Sequence, residues 1–484
     1  MATTINLRKL LHRKAWETCT SAPTATTAGG FVCSDKYDLS NGSRAFMAQG
    51  ASSVWLYEGN EDAWCQLPSS GIAGTFAAGA CGEYRALGAM GGVFTQTATA
   101  GTTTTLTTND TIVRGLAGCR VRVVAGTGVG YEGTVSSNTL GANAVVTVTP
   151  ASAVAFDATT QYQIYSGSLW FFNAGTTAVG FSVYDVATNA WTARSVTGLP
   201  TAWGTGAQLV STMGSAKVFA SGTATAGAST TLTNSAKAWA TNMWANYQVR
   251  ITAGTGKGQI RLIASNTGTA LTVSTAWTVN PDATSVYAIE GNDDAFFLFG
   301  NNAVTAYKFS VAGNTWATLA PTAARAGAMV AGGTADWIDN APNWDNETAV
   351  AHYTTLLVKQ NGRYIYSFRG GSSTLDVYDI AANTWISGIA YGNQGESFGA
   401  GSSSVDLNGS IFITKDATGR VFSLEVDKNR LIPMATNTNQ AALGGTTVEG
   451  DKMFVLPYVD GGTTILFGYM LRHSGTDLVR MMVI

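Results

Sequence analysis

Charge is scarce in this chain. Lys, Arg, Asp and Glu make up 12% of its 484 residues, against about 25% in ordinary soluble domains. The net charge of −2 gives no general electrostatic hold on nucleic acid or an anionic membrane, so neither is expected as a partner. Long apolar runs are missing as well. None approaches the roughly 18 residues of a transmembrane helix. The opening MATTINLRKLLHRKAW is basic but lacks an apolar stretch of signal-peptide length, so no secretory leader is expected. Histidine appears only as His12, His352 and His473, in different predicted elements. The five cysteines, Cys19, Cys33, Cys65, Cys81 and Cys119, contain no C-x-x-C pair, which excludes the usual zinc and thioredoxin-type motifs. They read as buried free thiols, with an intersubunit crosslink as the sharper alternative because their number is odd. A large β protein with so little surface charge is expected where neighbouring subunits cover much of it.

What the chain does have is repetition. An aromatic residue is followed seven positions later by tryptophan at Tyr57/Trp64, Tyr184/Trp191, Phe309/Trp316 and Tyr378/Trp385. In the last three, asparagine stands two residues before the tryptophan, at Asn189, Asn314 and Asn383. A pattern recurring along the chain means one supersecondary unit used repeatedly. Apolar and polar residues alternate in each copy, so the unit is built from strands. Asn41-Gly42, Asn361-Gly362 and Asn408-Gly409 precede the position of the tryptophan by 22 or 23 residues, with Leu431 replacing it in the fifth copy. Asn-Gly favours a tight hairpin because both residues tolerate positive φ. Each unit therefore reads as strand, Asn-Gly turn, strand, loop, strand, Asx turn, strand.

These units resemble Kelch-type β-propeller blades, including the Gly-Gly pairs at 332–333 and 370–371 and the Asn-x-Trp of the outer strand. Six copies begin near Phe31, Ala80, Gly206, Ala349, Gly399 and Ala442. The resemblance implies an all-β, six-bladed Kelch-like β-propeller. In the second and third copies, about 70 residues replace the Asn-Gly turn. The two replacements are homologous: TATAGTTTTL (97–106) matches TATAGASTTL (223–232), VRVVAGTGVGY (121–131) matches VRITAGTGKGQ (249–259), and FDATTQYQI (156–164) matches PDATSVYAI (281–289). Their Thr/Val alternation and Gly-rich turns predict two small β-barrel or sandwich insertions. The expected domains are an N-terminal arm (1–30), the propeller (31–94, 168–218 and 291–484) and two modules (95–167 and 219–290). Equivalent loops leave a propeller on one face, so both modules should project side by side. No strand is left over to complete another unit, and ring closure is expected from face-to-face packing of the last copy on the first.

A search for chemistry yields little. There is no set of paired histidines, tyrosine and cysteine for a copper-radical oxidase, and no Asp-box turn of the sialidase kind. AGTGVG and AGTGKG lack the Lys-Ser/Thr pair opening a helix that a phosphate loop needs, and read as β-turns. One segment stands out, DWIDNAPNWDNE at 336–347, in the long connection before the fourth copy. Asp336, Asp339 and Asp345 beside Trp337 and Trp344 offer carboxylates with aromatic platforms, as a glycan-binding loop would. The spacing does not fit an EF-hand loop, and the competing reading, the favoured one, is an interface loop whose tryptophans pack on a neighbouring blade or subunit. Leu7, Leu10, Leu11 and Trp16 approximate a helical stripe, suggesting that the arm docks on its own propeller or on a neighbouring copy. No cofactor, metal site or catalytic residue is assigned.

The paired TATAG…AGTG…SNT…DAT modules resemble small β modules of tailed-bacteriophage structural proteins, whose charge-poor composition is similar. That resemblance implies a virion protein without enzymatic activity, assembling as a homo-oligomer with other virion proteins in the tail or neck. The alternative is a receptor-binding propeller or adhesin that holds a host-surface glycan. An enzyme would need acids or histidines around the central channel; a channel of apolar and hydroxyl groups alone would remove that reading.

Overall fold

The computed structural model describes residues 17–482 except 25–29, 35–43, 50–52, 60, 75, 78, 90–94, 109–118, 140–142, 176, 186–188, 205, 213–217, 291–295, 311–313, 339–350, 353–356, 359–361, 391–395, 400–401, 408–409, 416–419, 427–429, 434–451, 461–462 and 472–477. The described residues are all-β, with no helix, and form many antiparallel sheets of a β-propeller-like class. The first sheet runs outward through strands Phe31–Ser34, Arg44–Gln49, Ser53–Glu58 and Ala63–Leu67. Five further four-strand units have the same up-and-down order. Their innermost strands are Cys81–Ala89, Gln208–Ser211, Thr334–Trp337, Ser403–Leu407 and Lys452–Asp460, and each touches the next around a ring that returns to Phe31–Ser34.

The repeated aromatic and tryptophan prove to be cross-strand partners. Tyr57 lies opposite Trp64, Tyr184 opposite Trp191, Phe309 opposite Trp316 and Tyr378 opposite Trp385. Leu424 and Leu431 take the same places in the fifth sheet. The intervening turn needs a residue in the left-handed region, where Asn and Asp are favoured among non-glycines. Asp62, Asn189, Asn314 and Asn383 occupy it, with φ between 48° and 55°. Where the aromatic is tyrosine, its hydroxyl donates to that side chain, at 2.6 Å (Asp62), 2.5 Å (Asn189) and 2.7 Å (Asn383). The same turns grip the incoming connection: Thr20 N–H donates to Asp62, Ser195 N–H to Asn314, and Asn383 Nδ2 to the Ala320 carbonyl.

Each tryptophan then seals a junction between sheets. Trp191 packs on Phe171 within the core shared by the first and second sheets, and its indole N–H donates to Pro68 O. Trp316 meets Phe181 of the second sheet, and Trp385 meets Phe299 of the third. Between the sixth sheet and the first lie Tyr57, Met47, Phe454 and Tyr469.

Closure departs from the sequence expectation. Glu17–Thr18 pairs antiparallel with Leu478–Met482, so a strand from the N-terminal side completes the last sheet. Cys19 N–H adds a bond to Leu478 O at 2.8 Å. Face-to-face packing and a strand clasp therefore act together. Residues 1–16, on which the helical stripe was placed, lie outside the described residues.

The starts of the fourth, fifth and sixth units also move, to Thr334, Ser403 and Lys452. Residues 334–337 are not a connection before the fourth unit but its innermost strand. All four are buried, so the apolar/polar alternation that marks a half-exposed strand is absent.

Two homologous segments separate the first and second strands of the second and third sheets. In the earlier one, five strands between Thr95 and Thr149 close on Gln161–Asn173, which pairs with both Thr95–Gly101 and Arg120–Ala125. The result is a closed antiparallel barrel around Leu106, Val121, Val146, Phe156 and Ile164. Gln161–Asn173 runs on as the second strand of the second sheet, so position 167 falls inside one continuous strand. The later segment repeats the order, with Val218–Thr223 and Ala226–Ala228 standing in for the two halves of Thr95–Gly101. We call them barrel 1 and barrel 2.

The fourth sheet holds a buried ion network. Asp376 accepts from Arg325 at 2.8 Å and from Arg369 at 2.5 Å, and Arg325 also lies over the Trp385 ring. Burial pushes the Asp376 carboxyl up, but the hydrogen bonds from Arg369 and Arg325 outweigh it and hold the pKa below its ordinary value.

Two outcomes follow for stability. Trp385→Ala should cost about 3–5 kcal/mol, the usual loss for truncating a buried large aromatic, read as a lower denaturant midpoint; an unchanged midpoint would refute the sealing role. Asp376 has a depressed folded pKa, so its stabilisation is present above the unfolded carboxylate value of about 3.9 and is lost as pH falls through the folded value. Urea midpoints measured from pH 6 to pH 3 should therefore fall more steeply for the parent than for Asp376→Asn. That variant should itself lose about 3–5 kcal/mol at neutral pH by breaking a buried pair.

Candidate functional site

The innermost strands of all six sheets line a small axial cavity of about 70 Å³. Its polar wall consists of Ser34, Glu83, Gln208, Ser211, Asp336 and Ser404, each from a strand next to the ring axis. Ser404 Oγ donates to Asp336 Oδ2, joining the fourth and fifth sheets. Cys33 also lines the cavity. Burial, with Glu83 and Cys81 beside it, pushes the Cys33 thiol well above its usual range. Burial thus disfavours the thiolate that nucleophilic chemistry requires. The channel is not walled by apolar and hydroxyl groups alone, because it carries two carboxylates. Among the described residues no group of three or more His, Cys, Asp or Glu is placed to hold a metal.

Of the residues singled out in the sequence, Asp336 and Trp337 lie on an inner strand and not on an exposed loop. Asp336 faces the axial cavity from an inner strand, and Trp337, its neighbour, is buried. The Trp337 indole N–H donates to Gly362 O at 3.0 Å, and its ring meets Phe219 at the base of barrel 2. Trp337 is thus an anchor beneath barrel 2 and not an exposed platform. The packed reading of Trp337 fits and the platform reading does not, although its partner was hidden in the sequence because the barrel that covers it begins more than a hundred residues earlier. Asp339, Trp344 and Asp345 lie outside the described residues. So do His12, His473 and the Asn41-Gly42 and Asn408-Gly409 turns. The five cysteines form no disulfide with one another; four are buried, and Cys65 is exposed on the outermost strand of the first sheet.

The larger functional feature is the pair of barrels. Barrel 1 is continuous with the second sheet through Gln161–Asn173. Barrel 2 rests on the fourth sheet, where Phe219, Trp244 and Tyr247 share one apolar cluster with Trp337, Ile365 and Ile380. Asn246 Nδ2 donates to Ile380 O across that contact at 3.4 Å. Gly362 is a point of close approach, since a β-carbon there would meet the Phe219 ring at 2.6 Å.

The two AGTG turns are structural. Thr127 Oγ1 donates to Asp157 at 2.7 Å, and Thr255 joins Thr284 and, through it, Asp282 in the same arrangement. Hydrogen bonds from Thr159 and Thr127 hold the Asp157 carboxyl below its usual range, and those from Thr284 do the same for Asp282. Both turns lead into strands, Glu132–Asn138 and Ile260–Asn266, leaving no helix end for a phosphate.

The turns also bring the barrels together. Val129 lies on Gly258 and Lys257 lies on Gly130, at equivalent positions of the two copies, and a β-carbon on either glycine would collide with its partner. Beside this contact Arg250 pairs with Glu132 at 2.8 Å and with Glu290 at 2.6 Å, while Arg122 approaches Glu290 at 3.7 Å.

No family model matches this chain, and no curated protein matches it. Among solved structures it is similar to a structural genomics protein of unknown function from Bacteroides thetaiotaomicron VPI-5482, at 10% identity and TM-score 0.18, over 78% of this chain and 93% of that one. It is also similar to an auxiliary nutrient binding protein from Bacteroides ovatus ATCC 8483, at 9% identity and TM-score 0.19 over the same shares. A second auxiliary nutrient binding protein, from Bacteroides thetaiotaomicron VPI-5482, stands at 11% identity and TM-score 0.18, again over 78% and 93%. At these TM-scores the likeness says nothing about what this chain binds.

Trp337→Ala should therefore lower stability by about 3–5 kcal/mol and loosen barrel 2, as read by faster hydrogen exchange in residues 219–290. An exposed platform would instead leave melting unchanged.

Proposed function

We propose that the chain is a structural protein of a tailed-bacteriophage virion. In this reading the six four-stranded sheets are the blades of a Kelch-like propeller, and the barrels are two inserted copies of one docking module. The protein assembles as an oligomer in the tail or neck through propeller and barrel contacts. The observation that carries the reading is the fixed barrel pair. One barrel is built into the second sheet, the other is packed on the fourth, and each is clamped to the other. A duplicated module held rigidly in two places suits repetitive protein contacts better than turnover. A surface with few charges lowers the desolvation cost of covering it with neighbouring subunits.

The alternative is a propeller that holds a host-surface glycan. The axial cavity, with Glu83, Asp336 and Ser404, offers polar groups for a small ligand. The glycan-loop version is weakened by Trp337, which is committed to the core.

Native mass spectrometry over a concentration series tests the choice. One discrete ring oligomer is the expected result. A persistent monomer with saturable glycan binding would reject the structural reading in favour of the alternative.

A further inference from the structure

Each barrel carries an exposed arch beside its AGTG turn, PASAVAFDA (150–158) in barrel 1 and TAWTVNPDA (275–283) in barrel 2. The same valine stands out on both, Val154 at 48% exposure and Val279 at 50%. A lone exposed valine is ordinary, but the surroundings of these two differ. On barrel 1, Ser152 and Phe156 turn inward, and Ala151, Ala153 and Ala155 lie exposed around Val154. The one charge on that arch is Asp157, also exposed. The turns it touches, 102–104 through Ser152 N–H to Thr103 O and 125–128 through Phe156, bring no lysine or arginine. On barrel 2 the neighbours of Val279 are Thr278 and Asn280, and Asp282 is offset by two cations. Arg261 donates to Ala276 O at 3.0 Å and to Thr278 Oγ1 at 3.1 Å, and Lys257 stands where barrel 1 has Val129. Only the arch of barrel 1 is therefore apolar with a net negative charge.

The chain itself contains the complement of that surface. Residues 1–16, MATTINLRKLLHRKAW, hold Arg8, Lys9, Arg13 and Lys14 and none of the chain's 30 acids, with Leu7, Leu10 and Leu11 among the cations. They precede Glu17, which sits on the outermost strand of the sixth sheet. From Glu17 the chain runs towards the first sheet, where Thr20 N–H meets Asp62. It thus enters this strand from the side away from the second sheet and barrel 1, which favours the barrel of another molecule over its own. We infer that residues 1–16 of one copy dock on the Val154 arch of a second copy, leucines against Val154 and its alanines, cations around Asp157. This rests on the oligomeric reading above and names its contact. Two different surfaces meet, so the contact is heterologous and repeats from copy to copy until a ring closes.

The test uses the full chain carrying Leu7→Ser, Leu10→Ser and Leu11→Ser, which disables the arm and leaves the Glu17–Thr18 clasp in place. The probe is a fluorescein-labelled peptide of residues 1–16, followed by anisotropy. Saturable binding is expected, weakening as salt screens the charges. Val154→Lys, which sets a like charge against four cations, should weaken it roughly tenfold or more. Val279→Lys, the matching change on barrel 2, should leave it unchanged. Both positions are exposed, and Val154→Ser replaces the lysine variant should that one not fold. Absence of saturable binding, or binding indifferent to the change at Val154, would overturn the inference. Native mass spectrometry supplies the second arm, with oligomers of the parent expected to be lost in the triple-serine variant. Oligomers that persist there would overturn this contact and leave the oligomeric reading standing. A parent that stays monomeric at every concentration would remove that reading, and the second copy as occupant with it.

Discussion

The junction between neighbouring sheets is the constraint on which the ring depends. A four-stranded sheet with apolar residues on both faces cannot stand alone in water, and each must find a partner on either side. The tryptophan of the outer strand extends that contact to the periphery, where a sheet would otherwise splay. Its cross-strand aromatic sets its angle, with ring centroids 4.9 to 5.1 Å apart in all four pairs. Edge-to-face and tilted arrangements at such distances add about 0.5–1.5 kcal/mol beyond burial. The Asx residue completes the device by turning the chain and holding the connection that arrives from the preceding sheet. One seven-residue signature thus performs three tasks.

Closure is the point where a ring of sheets is weakest, because no covalent connection need cross it. Here Glu17–Thr18 crosses it, pairing with the last strand while the following residues lead into the first sheet. Asp62 and Trp64 of the first sheet bind Thr20 in that connection, as Asn383 binds Ala320 farther round. The clasp is therefore reinforced by the same latch that the other junctions use. Its short length is offset by the apolar seal beneath it, where Tyr57 and Tyr469 meet at 5.8 Å.

The legible parts of this structure are those that local periodicity or repetition encodes. Tyr378 facing Trp385, and Asn383 in the turn between them, follow from spacing alone. The two barrels follow from their shared TATAG and AGTG segments. The clasp was not legible because two residues carry no periodicity. The partner of Trp337 was not legible because its burial is decided by Phe219 and Gly362, distant in sequence. Glu83 and Asp336 come from different sheets and line one cavity only through the curvature of the ring, which no local pattern records. The seam acids escaped notice for the opposite reason. Comparing duplicated segments draws attention to what they share, whereas Glu132 and Glu290 stand where they differ.

Duplication followed by divergence explains why the barrels are attached differently. Barrel 1 shares a strand with the second sheet, so bending it would cost backbone hydrogen bonds along Gln161–Asn173. Among the described residues barrel 2 shares no strand with the third sheet, and it has an apolar footing on the fourth. A force applied to barrel 1 can therefore reach the fourth sheet without passing through the third, by way of Glu132, Arg250 and the Trp337 cluster. Such a strut stiffens one arc of the ring relative to the other. It works only if the seam holds under load, and a seam of two small apolar contacts would be weak. Buried charges with fixed partners resist sliding more than apolar contacts do, since any shift leaves a desolvated ion unpaired. The cost of burying them is thus tied to keeping the two copies in register.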